Sequence, residues 1–495
     1  MGAKFIANLM CVISRFRASC VAVLLGLVWV SAAAVVSAQQ NLPSMGEPAD
    51  SALSPAEERI LGAQFMRQIR SRLPLIRDVQ ITEYIQRLGN HLVLATGRTD
   101  LNNFTFFVIE DPQINAFAIP GGYVGINSGL IDAMDHEEQL ASVVAHEIAH
   151  VTQRHHARAF ATGNRSSLTT AAAILAAIII GQASPQAGQA ALAAGLAVTQ
   201  QTAINFTRSN EVEADRIGIE ILANANYDAR AMAETFDILR RKNSLNTSNR
   251  ALEYLRTHPL DNNRIAEATD RASTKPDRTR LNSLDFKLFK ARLAVLTSSD
   301  PAQTMRLYKS RYERSGDAQS AYALALNSVR NNRIVEARRY MESLDSIAST
   351  NPFIALLQAD VSAKSKTSTK DGYDTQLAEL ADLYPERYSI VEKQSDSLVL
   401  QRQLTDAQNA VTRYIRTNIN PDPLAWRQLA SIQQQLGDEA SSHESLARYF
   451  EALDELERAR GQLELALRAT ASGSQDEIRL SASLKNLKRR ATEFR

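Results

Sequence analysis

The stretch that decides the fold and chemistry of this chain is His146-Glu147-Ile148-Ala149-His150. On an α-helix, positions i and i+4 lie one above the other on the same face. His146 and His150 can therefore aim two imidazoles at one zinc ion. Glu147 sits one residue round, where its carboxylate can take a proton from an attacking water. The competing interpretation is a surface helix with two solvated histidines, and the flanks argue against it. Leu140, Val143, Val144, Ile148 and Val151 make an apolar stripe at helical spacing. A helix over about 136–157, capped by Asp135, is then a core element. Buried histidines need partners, and a metal ion is the best of them.

Two histidines do not complete a catalytic zinc site, which takes three protein ligands and keeps one position open. Downstream, Arg208-Ser209-Asn210-Glu211-Val212-Glu213-Ala214-Asp215-Arg216 leads into Ile217, Ile219 and Ile221. This predicts a second helix, acidic at its start and apolar on one face. Glu211 and Asp215 are i and i+4 and share a face. Glu211 can ligate the metal, with a surface salt-bridge role as the alternative. Asp215 can accept the N–H of a ligating histidine and fix its tautomer. Glu213 reads as part of the solvated face, and His155, His156, His136 and His91 read as solvated surface.

His146–His150 followed by Asn210-Glu211-Val212-Glu213-Ala214-Asp215 resembles the gluzincin peptidases of the CAAX prenyl protease and HtpX type. The run Asn115-Ala116-Phe117-Ala118-Ile119-Pro120-Gly121-Gly122-Tyr123-Val124-Gly125-Ile126-Asn127-Ser128-Gly129-Leu130-Ile131 resembles the strand segment that precedes the zinc helix in that family. His258-Pro259-Leu260, with Arg264 six residues after the histidine, resembles its downstream loop. The likeness covers residues 50–270 specifically. It implies an α+β zincin-like protease domain with one Zn2+ per chain. His146, His150 and Glu211 are then the ligands and Glu147 the general base. His258 carries over as a transition-state donor or as a fourth ligand that closes the site.

Residues 1–38 hold Lys4, Arg15 and Arg17, then an apolar run from Cys20 to Val36 and the small-residue end Ser37-Ala38. That pattern predicts a signal peptide cleaved near Ala38, with an uncleaved membrane anchor as the rival. Both cysteines, Cys11 and Cys20, lie inside the leader, which leaves no disulfide or thiol chemistry downstream. The whole chain carries 56 Lys and Arg against 54 Asp and Glu, so losing three basic residues turns +2 into −1. A neutral balance without a basic block gives no reason to expect nucleic acid as a partner. At 495 residues the chain exceeds one core, and its 22% charged content is that of an ordinary globular protein.

Ser54-Pro55-Ala56-Glu57-Glu58 opens a helix, with a good N-cap, a proline in the first turn and acids at the positive end of the dipole. A second helix is expected over about 78–95. Phe104 to Ile109 reads as a strand, and Ala116–Ile119 with Tyr123–Asn127 as a hairpin about Pro120-Gly121-Gly122. Residues 168–204 hold two apolar, Ala-rich runs, each too short to span a bilayer, where about 20 residues are needed. They are either a buried helical hairpin or a flap that touches membrane or unfolded substrate.

After Lys275-Pro276-Asp277 strand signals fade and helical patterns recur. Asp422-Pro423-Leu424-Ala425-Trp426 through Gly437, and Ala321 through Arg338, resemble tetratricopeptide repeats. An all-α solenoid of about eight to eleven helices is expected over 276–495, after a protease domain at 39–275. Stacked helix pairs leave a concave binding face. A leader plus such a helical half narrows the resemblance to the periplasmic members that serve outer-membrane β-barrel assembly. It implies unfolded or stalled outer-membrane proteins and the barrel-assembly machinery as partners. In the resulting mechanism an edge strand including Asn115, Ala116 and Phe117 pairs with the substrate by β-augmentation. Glu147 shuttles the proton, and His258 or Arg264 helps the oxyanion; where His258 instead closes the site, Arg264 pairs with a nearby carboxylate to hold the loop. The alternatives are a chaperone or assembly scaffold whose zinc site is mostly latent, and a structural zinc protein, against which Glu147 argues.

Overall fold

Ser54 starts the first helix, α1 (Pro55–Arg72), through a reciprocal pair of bonds. Its hydroxyl accepts from the Glu57 N–H at 3.3 Å, and the Glu57 carboxylate accepts from the Ser54 N–H at 2.8 Å. Asp78 caps α2 (Val79–Leu94) by accepting from the Ile81 N–H at 3.2 Å. The computed structural model describes residues 53–162, 200–244, 253–278, 283–348, 350–364 and 370–493. The leader at 1–38 and nearly all of the Ala-rich segment 168–204 lie outside the described residues.

The three strands are β1 (Thr105–Ile109), β2 (Ala116–Ile119) and β3 (Tyr123–Asn127). They lie in the order β1-β3-β2, with β1 parallel and β2 antiparallel to β3. The expected hairpin is therefore present, and β2 is an edge strand. Its turn needs glycine: Gly121 and Gly122 have φ of 83° and 85°, and a Cβ on Gly122 would lie 1.8 Å from the Asn103 carbonyl oxygen.

After α3 (Ser128–Ala133) comes the motif helix, α4 (Glu137–Thr152). It begins one residue later than expected, with His136 rather than Asp135 at the N-cap, and the Gln139 side chain accepts from both of their N–H groups. It also ends earlier, because Arg154 takes a left-handed φ of 52°. The chain restarts as α5 (His155–Thr162), then runs through α6 (Gln200–Asn224), α7 (Ala231–Ser244), α8 (Glu253–Thr257) and α9 (Asn262–Ser273). Every residue of α4 from Glu138 to His150 is buried, against α2, α6, α7 and β2.

Thirteen further helices follow among the described residues. They are α10 (Leu284–Thr297), α11 (Pro301–Ser315), α12 (Ala318–Arg330), α13 (Ile334–Met341), α14 (Asp345–Ala348), α15 (Pro352–Ala363) and α16 (Lys370–Leu383). The remainder are α17 (Tyr388–Leu400), α18 (Leu404–Thr417), α19 (Pro423–Gln435), α20 (Glu439–Ala452), α21 (Leu456–Ala469) and α22 (Gln475–Glu493). Consecutive helices pack on one another, giving an all-α array after the α+β part. One apolar core runs through both, from Ile76 to Val361, with Tyr84 stacked on Phe289 at 4.2 Å. Among the described residues no helix is long and apolar enough to cross a membrane.

Candidate metal centre

Two helices and one loop meet at the motif. Gly218 on α6 lets that helix approach α4 closely: a Cβ there would sit 2.8 Å from the Met232 methyl and 3.4 Å from the His146 backbone nitrogen. Ligand atoms of His146, His150, Glu211 and His258 all lie within 4.8 Å of one another. His146 Nε2 is 3.0 Å from His150 Nε2, and each is 3.4 Å from a Glu211 oxygen. His258 Nδ1 stands 3.1 Å from both Glu211 oxygens and 3.3 Å from His146 Nε2. All four residues are buried.

Glu147 faces the same point, with Oε1 3.5 Å from His258 Nε2. The Ala118 backbone hydrogen-bonds to its carboxylate, but Oε1 itself is buried with no hydrogen-bond partner among the described residues. A carboxylate oxygen so placed, beside three imidazoles and a second carboxylate, fits a divalent metal and the water it polarises. Burial pushes the Glu147 carboxyl up, against the pull of His258 and His146. Burial also pushes Glu211 up, yet His258, His146 and His150 outweigh it and hold that carboxyl well below its usual range.

A second layer fixes these groups. His146 Nδ1 is 2.9 Å from Asp215 Oδ1. Arg264, from the first turn of α9, donates through Nε and Nη2 to Asp215 at 2.7 and 2.8 Å. Its Nη1 lies 2.9 Å from Glu211 and donates to the Pro259 carbonyl at 2.7 Å. Every guanidinium nitrogen is engaged, so Arg264 ties the His258 loop to α6 rather than reaching for a substrate oxyanion. Tyr254 stacks on the His258 ring with centroids 4.7 Å apart.

Two histidines depart from the surface reading. His155 is buried, with Nδ1 2.8 Å from His150 Nδ1 and Nε2 3.2 Å from Glu213 Oε2. Its spacing of five from His150 belongs to no single helical face, and only the Arg154 turn brings it back. The histidine pair after the motif was the available signal. His156 Nε2 donates to the Ala118 carbonyl at 3.1 Å, and burial lowers its pKa to about 4, so it is neutral there. Glu213 is not a free solvated acid, because Arg158 holds it at 2.9 Å. Asn115, Ala116 and Phe117 lie at the edge of the sheet, with the buried Asn115 Oδ1 unpartnered among the described residues.

A buried His-Glu-x-x-His helix with a carboxylate and a third imidazole on neighbouring elements defines a metalloendopeptidase. The chain belongs to peptidase family M48, whose family description matches residues 80–272. It is 33% identical, over 94% of each chain, to the beta-barrel assembly-enhancing protease of Escherichia coli (strain K12). A putative beta-barrel assembly-enhancing protease of Vibrio cholerae is 41% identical over 56% of this chain and 57% of its own. The mitochondrial metalloendopeptidase OMA1 of Schizosaccharomyces pombe is 32% identical over 37% of this chain and 51% of its own.

Proposed function

We propose that this chain is a periplasmic zinc-dependent endopeptidase that removes misassembled proteins and assists outer-membrane β-barrel assembly. The observation that carries the reading is the convergence of His146, His150, Glu211 and His258 beside the unpartnered Glu147 oxygen. His146, His150 and Glu211 are the ligands of one zinc ion. Zinc supplies Lewis acidity there, polarising a scissile carbonyl and acidifying a water. Glu147 accepts the proton of the attacking water and returns it to the leaving amine. Asp215 orients the His146 ring, and Arg264 holds Asp215. Ala116 and Phe117 on β2, with Asn115 just before it, orient the substrate backbone.

The barrel-assembly role rests on the names of the relatives, together with the expected leader at 1–38. The catalytic part is 39–275, and the array at 276–495 is a tetratricopeptide-repeat solenoid that receives stalled outer-membrane proteins or the barrel-assembly machinery. Residues 168–204 are the candidate for peripheral membrane contact. A second reading, an assembly scaffold with a latent site, is favoured by His258 lying among the ligands. Metal analysis and casein cleavage by purified variants test the first. Glu147→Gln keeps zinc and loses cleavage, whereas His146→Ala, His150→Ala and Glu211→Ala lose both. Full zinc occupancy in Glu211→Ala removes the third ligand from the scheme.

A further inference from the structure

We infer that His155, oriented by Glu213, holds the His150 ring in its metal-binding tautomer. The proposal rests on His150 being a ligand through Nε2. That nitrogen faces the cluster, 3.0 Å from His146 Nε2 and 3.4 Å from Glu211. A neutral imidazole that offers its Nε2 lone pair carries its proton on Nδ1. His150 Nδ1 meets His155 Nδ1 at 2.8 Å, so one of the two must donate and the other accept. With His150 as donor, His155 accepts at Nδ1 and keeps its own proton on Nε2. That proton points at Glu213 Oε2, 3.2 Å away, which can only accept.

The order is then set from the outer end. Arg158 places two nitrogens 2.9 Å from Glu213 Oε2, keeping the acid charged and in place. Glu213 fixes the tautomer of His155, and His155 fixes that of His150. The rings cross at 81° with centroids 4.8 Å apart, so the contact is an edge-on hydrogen bond rather than a stack. The two ligand histidines are therefore held differently. His146 meets the Asp215 carboxylate directly, while His150 meets one through an interposed imidazole. The left-handed turn at Arg154 is what returns His155 to the motif helix, and Arg154 is itself held by Glu58 at 3.3 Å.

His155 is thus a positioning residue, and its removal acts on metal affinity before it acts on rate. Supporting groups of this kind contribute about 10–100-fold to affinity. The experiment titrates metal-free full-length protein with Zn2+ against a competing chelator, and records the visible spectrum of the Co2+ form. His155→Phe keeps a ring but offers no acceptor. It should weaken Zn2+ binding by ~10-fold or more and shift the Co2+ bands. His155→Asn places Oδ1 where Nδ1 stood and should recover most of both. Glu213→Ala should weaken binding in the native background and add nothing to His155→Phe, because it acts through that ring. Wild-type affinity in His155→Phe overturns the proposal. So does a His155→Asn protein no better than His155→Phe, since packing alone would then explain the loss. If His155→Phe does not fold, His155→Asn and Glu213→Ala still decide. Undiminished affinity in His150→Ala overturns instead the ligand reading beneath it.

Discussion

Arg264 concentrates more of the site's organisation than any ligand does. It is buried, and its side chain bridges Asp215, Glu211 and the Pro259 carbonyl. Arg264→Met leaves two buried carboxylates without their cation and should cost about 3–5 kcal/mol of stability, read by denaturant unfolding of metal-free protein. Arg264→Lys should recover little, because an ammonium cannot serve Asp215 in bidentate fashion. A loss within 1 kcal/mol (roughly the worth of an exposed pair) would show that the cluster repacks. His258 poses a sharper question, since Nδ1 sits among the ligands and Nε2 near Glu147. With His258 as a fourth donor, His258→Ala should cleave casein faster than the native protein. A ~10²-fold drop with zinc retained would make it an oxyanion donor instead. At this scale, helical spacing put His146 and His150 on one face and Glu211 and Asp215 on another, whereas the meeting of the two faces was implied by the family resemblance. The place of His155 was not legible, because one residue at positive φ erases the phase on which spacing arguments depend.

Elements were readable wherever local signals set them. The Ser54 capping box and the Pro120-Gly121-Gly122 turn are examples, whereas the parallel pairing of β1 with β3 is a long-range outcome of core packing. The expected eight to eleven helices became thirteen among the described residues, because short turns such as α14 carry too little periodicity to stand out. The helices also bring together a group of acids that no pattern announces. Glu392 on α17 is pushed up to about 7, by burial first and then by Asp396, Asp422 and Asp78, with Lys393 opposing. Burial raises Asp422, before α19, to about 6. Both folded values lie above the unfolded ones, so the stabilisation is complete below about pH 4.5 and is lost as pH rises through 7. Glu392→Gln should therefore gain thermal stability over the native protein at pH 8 and show little difference at pH 5. A gap between the two melting temperatures that does not change with pH would remove Glu392 as the cause.

Across the whole molecule the two parts share contacts that a boundary near residue 275 does not suggest. Arg387, at the start of α17, donates to Glu83 on α2 at 3.0 Å, and the Ser389 N–H donates to the same carboxylate at 2.9 Å. Arg292 on α10 holds Asp78, the cap of α2, at 2.6 Å. Farther along, the Tyr123 hydroxyl donates to Asp454 at 2.8 Å, while Arg67 and Arg70 reach the carbonyls of Asp454 and Leu453. The helical array thus grips α1, α2 and the first residue of β3. With the apolar core continuous between them, unfolding of metal-free protein should be one calorimetric transition through residue 361 rather than two. Glu83 and Arg387 are 9% and 5% exposed, so the pair is desolvated. Arg387→Met strands the Glu83 charge and should lower that single transition by about 3–5 kcal/mol, and Glu83→Leu in the same protein should restore most of the loss. If Arg387→Met instead splits the transition, with the metal-binding part melting at its native temperature, the parts are independent and the pair is only a tether. A single shifted transition makes the array part of the protease's own stability, with Tyr123 at the start of β3 tied to Asp454 by one of the bonds between them.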